Sequence, residues 1–326
     1  MEKISKIYIA GHSGLVGSAI LRNLKSAGFS NLLIKTHKEL DLLDQMSVNI
    51  FFEKEKPEYV FLAAAKVGGI GANSAYPADF IFQNTMIGFN VIHASYKNRV
   101  KKLINLGSSC IYPRLAPQPL KEEYLLSGLL EPTNEAYAVA KISVIKLCAY
   151  YNQQYETNYL SVMPTNLYGS GDNYDPVASH VLPAIIRKFH EAKVSGEDRV
   201  ILWGDGSPRR EFLFSDDLAR ALFLLMENYD AVDLLNPAGN FVNIGSGVDI
   251  TIKELAEKIR DVVYDGTSNR ICRIEWDTEK PNGTPQKLLD ISRINTLGFS
   301  PKVSLDEGIR LAYGDFLTNA FISKRI

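Results

Sequence analysis

Short, uninterrupted runs of apolar residues alternate along this chain with longer segments whose apolar residues recur every three or four positions. The apolar runs predict strands at Ile4–Ala10, Leu32–Thr36, Tyr59–Ala65, Lys102–Gly107 and Tyr159–Met163. The periodic segments predict helices at Leu15–Ala27, Gln45–Lys54, Ala78–Lys97 and Ala136–Tyr155. Buried strands that alternate with helices indicate a parallel sheet covered on both faces, so the predicted fold class is α/β with a doubly wound sheet.

Beyond about Tyr168 the alternation is less regular. Helices are predicted at Val181–Ala192, Asp216–Tyr229 and Ile250–Tyr264, a strand and turn at Val200–Ser207, and a strand at Phe241–Gly245. The segments at 216–229 and 241–245 are apolar enough to return to the large sheet. We therefore expect residues 1–170, with 214–248 returning to them, to form a Rossmann-type domain that binds NADP, and residues 171–213 and 249–326 to form a smaller mixed α/β lobe that binds substrate.

Composition excludes several function classes. The 326 residues carry 36 Lys and Arg against 37 Asp and Glu, a balance that favours neither nucleic acid nor a membrane surface as a partner. No apolar stretch approaches the roughly 18 residues of a membrane span, and the N-terminus leads directly into a strand, which leaves no room for a signal peptide. The three cysteines are far apart and match no metal spacing, so we expect a cytoplasmic protein without a metal site.

A glycine pattern lies between the first predicted strand and the first predicted helix. Gly11, Gly14 and Gly17 recur at three-residue intervals within the segment Gly11-His12-Ser13-Gly14-Leu15-Val16-Gly17. Glycines in this position let the backbone approach a pyrophosphate, whose charge is met by the free N–H groups of the helix. The segment predicts a nucleotide cofactor, although a plain helix-capping loop would also fit.

The end of the second predicted strand bears on which nicotinamide nucleotide is bound. It carries Lys35, His37 and Lys38, with no acidic residue before Glu39. An acid at this position would bind an NAD ribose and repel a 2′-phosphate, so the basic residues favour NADP(H). The same residues could also be ordinary surface charges.

Three residues have the chemistry of carbonyl reduction. Ser108 follows the strand that ends at Gly107, and Tyr137 and Lys141 are four residues apart on a predicted helix, hence on one face. The Lys charge should lower the pKa of the Tyr phenol and let it exchange a proton with a substrate oxygen, while Ser108 hydrogen-bonds the carbonyl. A Tyr packed at a helix edge beside a solvated Lys is the alternative.

Cys110 and His180 provide acid and base groups that a simple reductase does not need. Cys110 lies two residues from Ser108, so it should face the same pocket, and His180 precedes the helix at 181–192. A thiolate and an imidazole beside a sugar ring could remove and return protons next to a ketone and so invert those carbons. On residue chemistry alone, a buried small side chain and a helix-capping or cofactor-contacting histidine are equally good explanations.

Several longer motifs make a resemblance specific. They are Leu106-Gly-Ser-Ser-Cys-Ile-Tyr-Pro113, Glu131-Pro-Thr-Asn-Glu-Ala-Tyr-Ala138, Pro164-Thr-Asn-Leu-Tyr-Gly169, Gly171-Asp-Asn-Tyr174, Ser179-His-Val-Leu-Pro183 and Lys280-Pro-Asn-Gly-Thr-Pro285. Along nearly its whole length the sequence resembles the GDP-L-fucose synthase family, the bifunctional epimerase–reductases of the extended short-chain dehydrogenase/reductase superfamily.

The resemblance implies an activity and roles for individual residues. The family epimerises GDP-4-dehydro-6-deoxy-D-mannose at C3 and C5 and then reduces C4 with NADPH, acting as a homodimer. It implies that Ser108, Tyr137 and Lys141 run the reduction, and that Cys110 is the base and His180 the acid of epimerisation. The implied cofactor contacts are Gly11, His12, Ser13, Gly14, Leu15, Val16, Gly17, Leu106, Gly107, Ser108, Ser109, Lys141, Pro164, Thr165, Asn166, Leu167 and His180. The implied nucleotide-sugar contacts are Lys188, Trp203, Arg210 and Asp277.

Departures from the family pattern and two rival functions remain. Ser13 and His37 stand where bacterial members often carry Arg, so the preference for NADP could be weaker. One rival is a 4-epimerase or 4,6-dehydratase that recycles a bound NAD and usually carries Thr or an Asp-Glu pair where this chain has Ser109-Cys110. The other is a non-catalytic protein that senses NADP, a class that commonly loses the Tyr or the Lys that this chain retains.

Overall fold

The computed structural model describes residues 1–176, 179–266, 272–280 and 282–323. Its strands are β1 (Ile7–Ala10), β2 (Leu32–Leu33), β3 (Tyr59–Leu62), β4 (Lys102–Leu106), β5 (Tyr159–Pro164), β6 (Asn166–Tyr168), β7 (Arg199–Trp203), β8 (Arg209–Phe214), β9 (Leu235–Asn236), β10 (Gly239–Ile244), β11 (Asp249–Thr251), β12 (Arg273–Asp277) and β13 (Gln286–Lys287). Its helices are α1 (Leu15–Ser26), α2 (Gln45–Glu55), α3 (Ile70–Ala75), α4 (Pro77–Lys97), α5 (Glu135–Tyr155), α6 (Val181–Ser195), α7 (Ser215–Asn228), α8 (Ile252–Val263), α9 (Ser292–Thr296) and α10 (Leu305–Ser323).

The large sheet has the strand order β2-β1-β3-β4-β5-β10-β9, and all of its neighbours are parallel except β10 and β9. Its inner strands are almost entirely buried because apolar helices cover both faces. The chain runs from β1 to β2 on one side and to β3 on the other, which creates the topological switch point where such sheets bind ligands. The predicted α/β, Rossmann-like class is confirmed.

The second half of the chain builds smaller sheets at the carboxyl ends of the large one. Strand β8 pairs with β6, β11 and β13, and β7 pairs with β12 in a separate two-stranded sheet. Because β6 begins two residues after β5 ends, the chain passes directly from the large sheet into the β8 sheet. The strand β10 pairs with β5, and α7 packs against α1, as expected for segments that return to the large sheet.

Most predicted elements are found within a few residues of their expected ends. The helix α8 begins at Ile252 behind Thr251, whose hydroxyl and Glu254 form a reciprocal capping box. The strand β2 is shorter than predicted because the chain turns at Thr36, whose N–H and hydroxyl both donate to Glu39. In the part of the chain that the structure describes, no helix is both long and apolar enough to cross a bilayer.

Candidate active site

The glycine turn lies between β1 and α1, at the switch point of the large sheet. Gly11 has a φ of +83°, and a Cβ at this position would come within 2.7 Å of the Ala64 backbone nitrogen beyond β3. A Cβ on Gly17 would lie 2.0 Å from the carbonyl oxygen of Gly11. No side chain caps the start of α1, so its first N–H groups are available to a phosphate.

The close approach of backbone to Gly17 predicts that a larger residue there destabilises the protein, and Gly14 provides the control. Gly17→Ala should lower the free energy of unfolding by about 3 kcal/mol, because its new methyl group meets backbone that cannot yield cheaply. In Gly14→Ala the methyl group would be 3.6 Å from the Gly11 carbonyl oxygen, so the loss should stay below about 1 kcal/mol. Urea unfolding of the two variants measures the difference, and equal losses would contradict the close approach.

Other features of the turn also fit a dinucleotide. The Nδ1 atom of His12 is buried and has no hydrogen-bond partner within the described residues, which suits a group that contacts a ligand. On the adenosine side, His37 is 80% exposed and its Nδ1 is 3.7 Å from Asp41. The Glu39 carboxylate accepts hydrogen bonds from Thr36, which lower its pKa, and the nearby Lys35 and His12 lower it further.

The remaining predicted cofactor residues also follow strands. Leu106 is the last residue of β4, and the segment Gly107–Ser109 continues from it into a short 3-10 turn. The segment Pro164–Leu167 joins β5 to β6, and its Thr165 hydroxyl and Asn166 side-chain amide both donate to the carbonyl oxygen of Glu211. Both segments therefore lie at the carboxyl edge of the sheet, on the same side as the glycine turn.

Ser108, Tyr137 and Lys141 come together between β4 and α5. The Lys141 ammonium is buried, donates a 2.8 Å hydrogen bond to the carbonyl oxygen of Leu106, and lies 5.7 Å from the centre of the Tyr137 ring. The Ser108 hydroxyl is near enough to the Tyr137 phenol to lower its pKa. Phe80 of α4 packs edge-on against the Tyr137 ring and holds its orientation.

The prediction that Lys141 lowers the pKa of Tyr137 is wrong for this structure. Burial raises the pKa of the phenol, the Cys110 thiol adds to the rise, and only the Ser108 hydroxyl opposes it. Burial also disfavours the charged form of Lys141 and lowers the pKa of its ammonium to about 8. The sequence indicated the spacing of Tyr137 and Lys141, but it could not indicate that burial would remove water from both groups. A phenol that stays protonated is the form that a general acid requires.

Cys110 lies in the same pocket, together with residues that sequence reasoning missed. Cys110 is 6% exposed, and its backbone N–H donates to the Ser108 hydroxyl at 3.4 Å. Burial raises the pKa of the thiol, and the nearby Lys287 opposes the rise more strongly than Ser108 or Lys141. Glu131 and Lys287 line the small pocket beside the thiol. In the sequence, the signal for these two residues is their position in the family motifs: Glu131 begins one motif, and Lys287 lies two residues beyond Pro285, which ends another.

His180 is the residue immediately before α6, and residues 177–178 before it lie outside the described residues. Its side chain keeps access to solvent, while the protein around it lowers the pKa of the imidazole through desolvation. Among the contacts of the described residues, none joins His180 to Cys110 or Tyr137. It therefore stays a prediction that His180 acts on the same sugar as Cys110 and Tyr137.

Three of the four predicted nucleotide-sugar residues form one neighbourhood. Trp203 and Asp277 are opposite each other in the β7–β12 pair, and Asp277 is electrostatically coupled to Lys188. Trp203 is 63% exposed, and the Lys280 ammonium lies 5.9 Å from the centre of its ring. Arg210 lies apart from them, beside Lys287 in the β8–β13 pair and near Glu131, hence closer to Cys110.

Comparisons with known sequences and structures show what the whole chain is similar to. The sequence profile described as the NAD dependent epimerase/dehydratase family matches residues 7–245. GDP-L-fucose synthase 1 of Arabidopsis thaliana is 54% identical over 319 residues, which cover 98% of this chain and 95% of that protein. GDP-L-fucose synthase of Escherichia coli K12 is 53% identical over 317 residues, covering 96% and 97%. Among solved structures, a GDP-mannoheptose C4 reductase of Campylobacter jejuni with NADP bound is 43% identical, with a TM-score of 0.88 over 97% of this chain and 99% of that one.

Proposed function

Because this chain belongs to the NAD dependent epimerase/dehydratase family and, within it, to the GDP-L-fucose synthases, we propose that it converts GDP-4-dehydro-6-deoxy-D-mannose to GDP-L-fucose with NADPH. The observation that carries the proposal is the cluster of neighbouring side chains formed by Ser108, Cys110, Tyr137 and Lys141. A reductase confined to C4 needs the hydroxyls and the amine of this cluster but not the thiol.

In the epimerisation, Cys110 acts as the base. The thiolate takes the proton from the carbon next to the C4 ketone, first at one of C3 and C5 and then at the other, and the electron pair moves onto the ketone oxygen as an enolate. His180 returns a proton to the opposite face of the carbon, which inverts it. Lys141 and Ser108 are near enough to Cys110 to favour its charged form.

In the reduction, Tyr137 acts as the acid. When bound, NADPH supplies hydride to C4. Ser108 donates a hydrogen bond that orients the C4 oxygen, and the protonated Tyr137 phenol delivers the proton that completes the alcohol. Lys141, held by the carbonyl oxygen of Leu106, stabilises the tyrosinate that remains.

The residues that would hold the cofactor are those at the carboxyl edge of the large sheet. The turn 11–17 accommodates the pyrophosphate, and the segments 106–109 and 164–167 together with Lys141 and His180 line the nicotinamide end. Lys188, Trp203, Arg210 and Asp277 would hold the nucleotide sugar, with Trp203 stacking on a ring and the cations binding the pyrophosphate. The proposal includes two domains. One, residues 1–170 with 214–248, binds NADP, and the other, residues 171–213 with 249–326, binds the substrate.

We also propose a homodimer that works in the cytoplasm. The helices α4 and α5 pack on each other, and exposed Phe82, Phe89 and Tyr150 on them support a contact with a second copy. All three cysteines are free thiols, which supports a reducing compartment.

The test is incubation with GDP-4-dehydro-6-deoxy-D-mannose in D₂O with NADPH or NADH, followed by NMR. We expect GDP-L-fucose with deuterium at C3 and C5, one NADPH consumed per product, and slower turnover with NADH. Reduction without deuterium at C3 and C5 would favour the C4 reductase, the second candidate that the Campylobacter jejuni structure suggests. Absence of net NADPH consumption with this 4-keto substrate would favour an NAD-recycling 4-epimerase or 4,6-dehydratase, and NADPH binding without any turnover would identify a non-catalytic protein.

A further inference from the structure

A lysine from the far end of the chain lies in the pocket of Cys110. Lys287 belongs to β13, which runs parallel to β8 with Lys287 opposite Arg210. Hydrogen bonds fix this segment: the Arg209 N–H donates to Pro285, and the Leu289 N–H donates to the fully buried Glu211 carboxylate at 3.0 Å. The lysine is therefore placed in the pocket by a rigid strand.

The Lys287 ammonium has no protein partner in the described part of the chain, in either a hydrogen bond or an ion pair. It is half-buried, and desolvation lowers its pKa. The nearby Glu131 attracts it, but that carboxylate already contacts Arg114 at 3.3 Å and Thr284 at 3.4 Å. A partly desolvated cation without a hydrogen-bonded partner is stabilised when an anion forms beside it.

The thiol of Cys110 is the group that can become that anion. Burial raises its pKa, and Lys287 is the largest influence in the opposite direction, ahead of Ser108 and Lys141. The same coupling raises the pKa of Lys287, while Arg210 across the strand pair lowers it. Tyr137, the remaining titratable group beside the thiol, is held neutral by burial.

We propose that Lys287 keeps Cys110 in the thiolate form that removes the protons at C3 and C5, acting through the sulfur atom and not on the sugar. This inference rests on the proposed epimerisation. Each step moves one proton from carbon to sulfur and leaves the electron pair on the C4 oxygen, so the ammonium stays protonated and gains or loses no atom. Lys287 is a positioning residue for the base.

The test uses Lys287→Met and Lys287→Arg, with Lys25→Met on the outer surface of α1 as a matched control. In the full chain, the rate at which iodoacetamide alkylates Cys110 is followed against pH by peptide mass spectrometry. Thiolate absorbance at 240 nm, relative to Cys110→Ser, gives a second measurement. We expect Lys287→Met to move the thiol inflection upwards by about one to three pH units, and Lys287→Arg and Lys25→Met to leave it within about half a unit.

Activity then separates this role from a structural one. Deuterium incorporation at C3 and C5 should fall at least tenfold in Lys287→Met at pH 7.5 and recover as the pH rises. Oxidation of GDP-L-fucose by NADP⁺, which needs only the reduction machinery, should stay within about twofold. An unchanged thiol inflection in Lys287→Met overturns the proposal, as does an equal loss of both activities. Alkylation needs no substrate, so a wild-type protein without either activity would refute the proposed function while the thiol measurement still decides the role of Lys287.

Discussion

Tyr137→Phe should reduce NADPH oxidation by about 10²–10⁴-fold while deuterium still enters C3 and C5 of the substrate. The variant removes the hydroxyl that we propose gives its proton to the C4 oxygen, but it keeps the ring that packs against Phe80. Absorbance at 340 nm measures reduction, and NMR in D₂O measures exchange on the same sample.

Tyr155→Phe is the matched control, because it makes the same chemical change at an exposed position at the far end of the same helix. It should change neither rate. Loss of both activities in Tyr137→Phe, in protein that keeps its unfolding transition, would contradict the assignment of Tyr137 to reduction alone.

Cys110→Ser should have the opposite effect, with deuterium exchange at C3 and C5 lowered at least about 10²-fold and the NADP⁺-dependent oxidation of GDP-L-fucose retained. A serine hydroxyl occupies the same space next to Ser108 but is not ionised near neutral pH, so it cannot act as the base.

Cys272→Ser makes the same substitution at a buried thiol beyond the pocket and should leave exchange intact. If Cys110→Ser exchanged deuterium at the wild-type rate, another group would have to remove the proton, and Lys287 would be the first to test. The proposed thiolate would then be wrong as well.

Local signals in the sequence predict much of the large sheet and its helices. Apolar runs locate β1, β4 and β5, and the Thr251 cap predicts the start of α8 almost to the residue. These elements are recognisable because the burial and end signals that form them are close together in the chain.

The β8 sheet could not be predicted in the same way. Its strand β8 carries Arg209, Arg210 and Glu211, and it becomes a strand only by pairing with residues as distant as Gln286 and Lys287. Such pairing has no local sequence signal, so the sequence predicts the strand and turn at Val200–Ser207 for the smaller lobe but does not predict β8.

The candidate site also combines features with a local sequence signal and features that depend on distant parts of the chain. The spacing of Tyr137 and Lys141 and the sequence of Ser108 and Cys110 identify four side chains that the fold brings together. The direction of the Tyr137 pKa shift and the arrival of Lys287 depend on burial and on a distant strand, and neither is encoded in a spacing.

Both tryptophans of the chain, Trp203 and Trp276, belong to the small β7–β12 sheet, whereas the large sheet has none. In titrations with NADP⁺, which does not absorb at 340 nm, their emission should therefore report occupancy of the proposed nucleotide-sugar side. A fluorimeter can then determine in which order the two ligands bind, with no label attached to the protein.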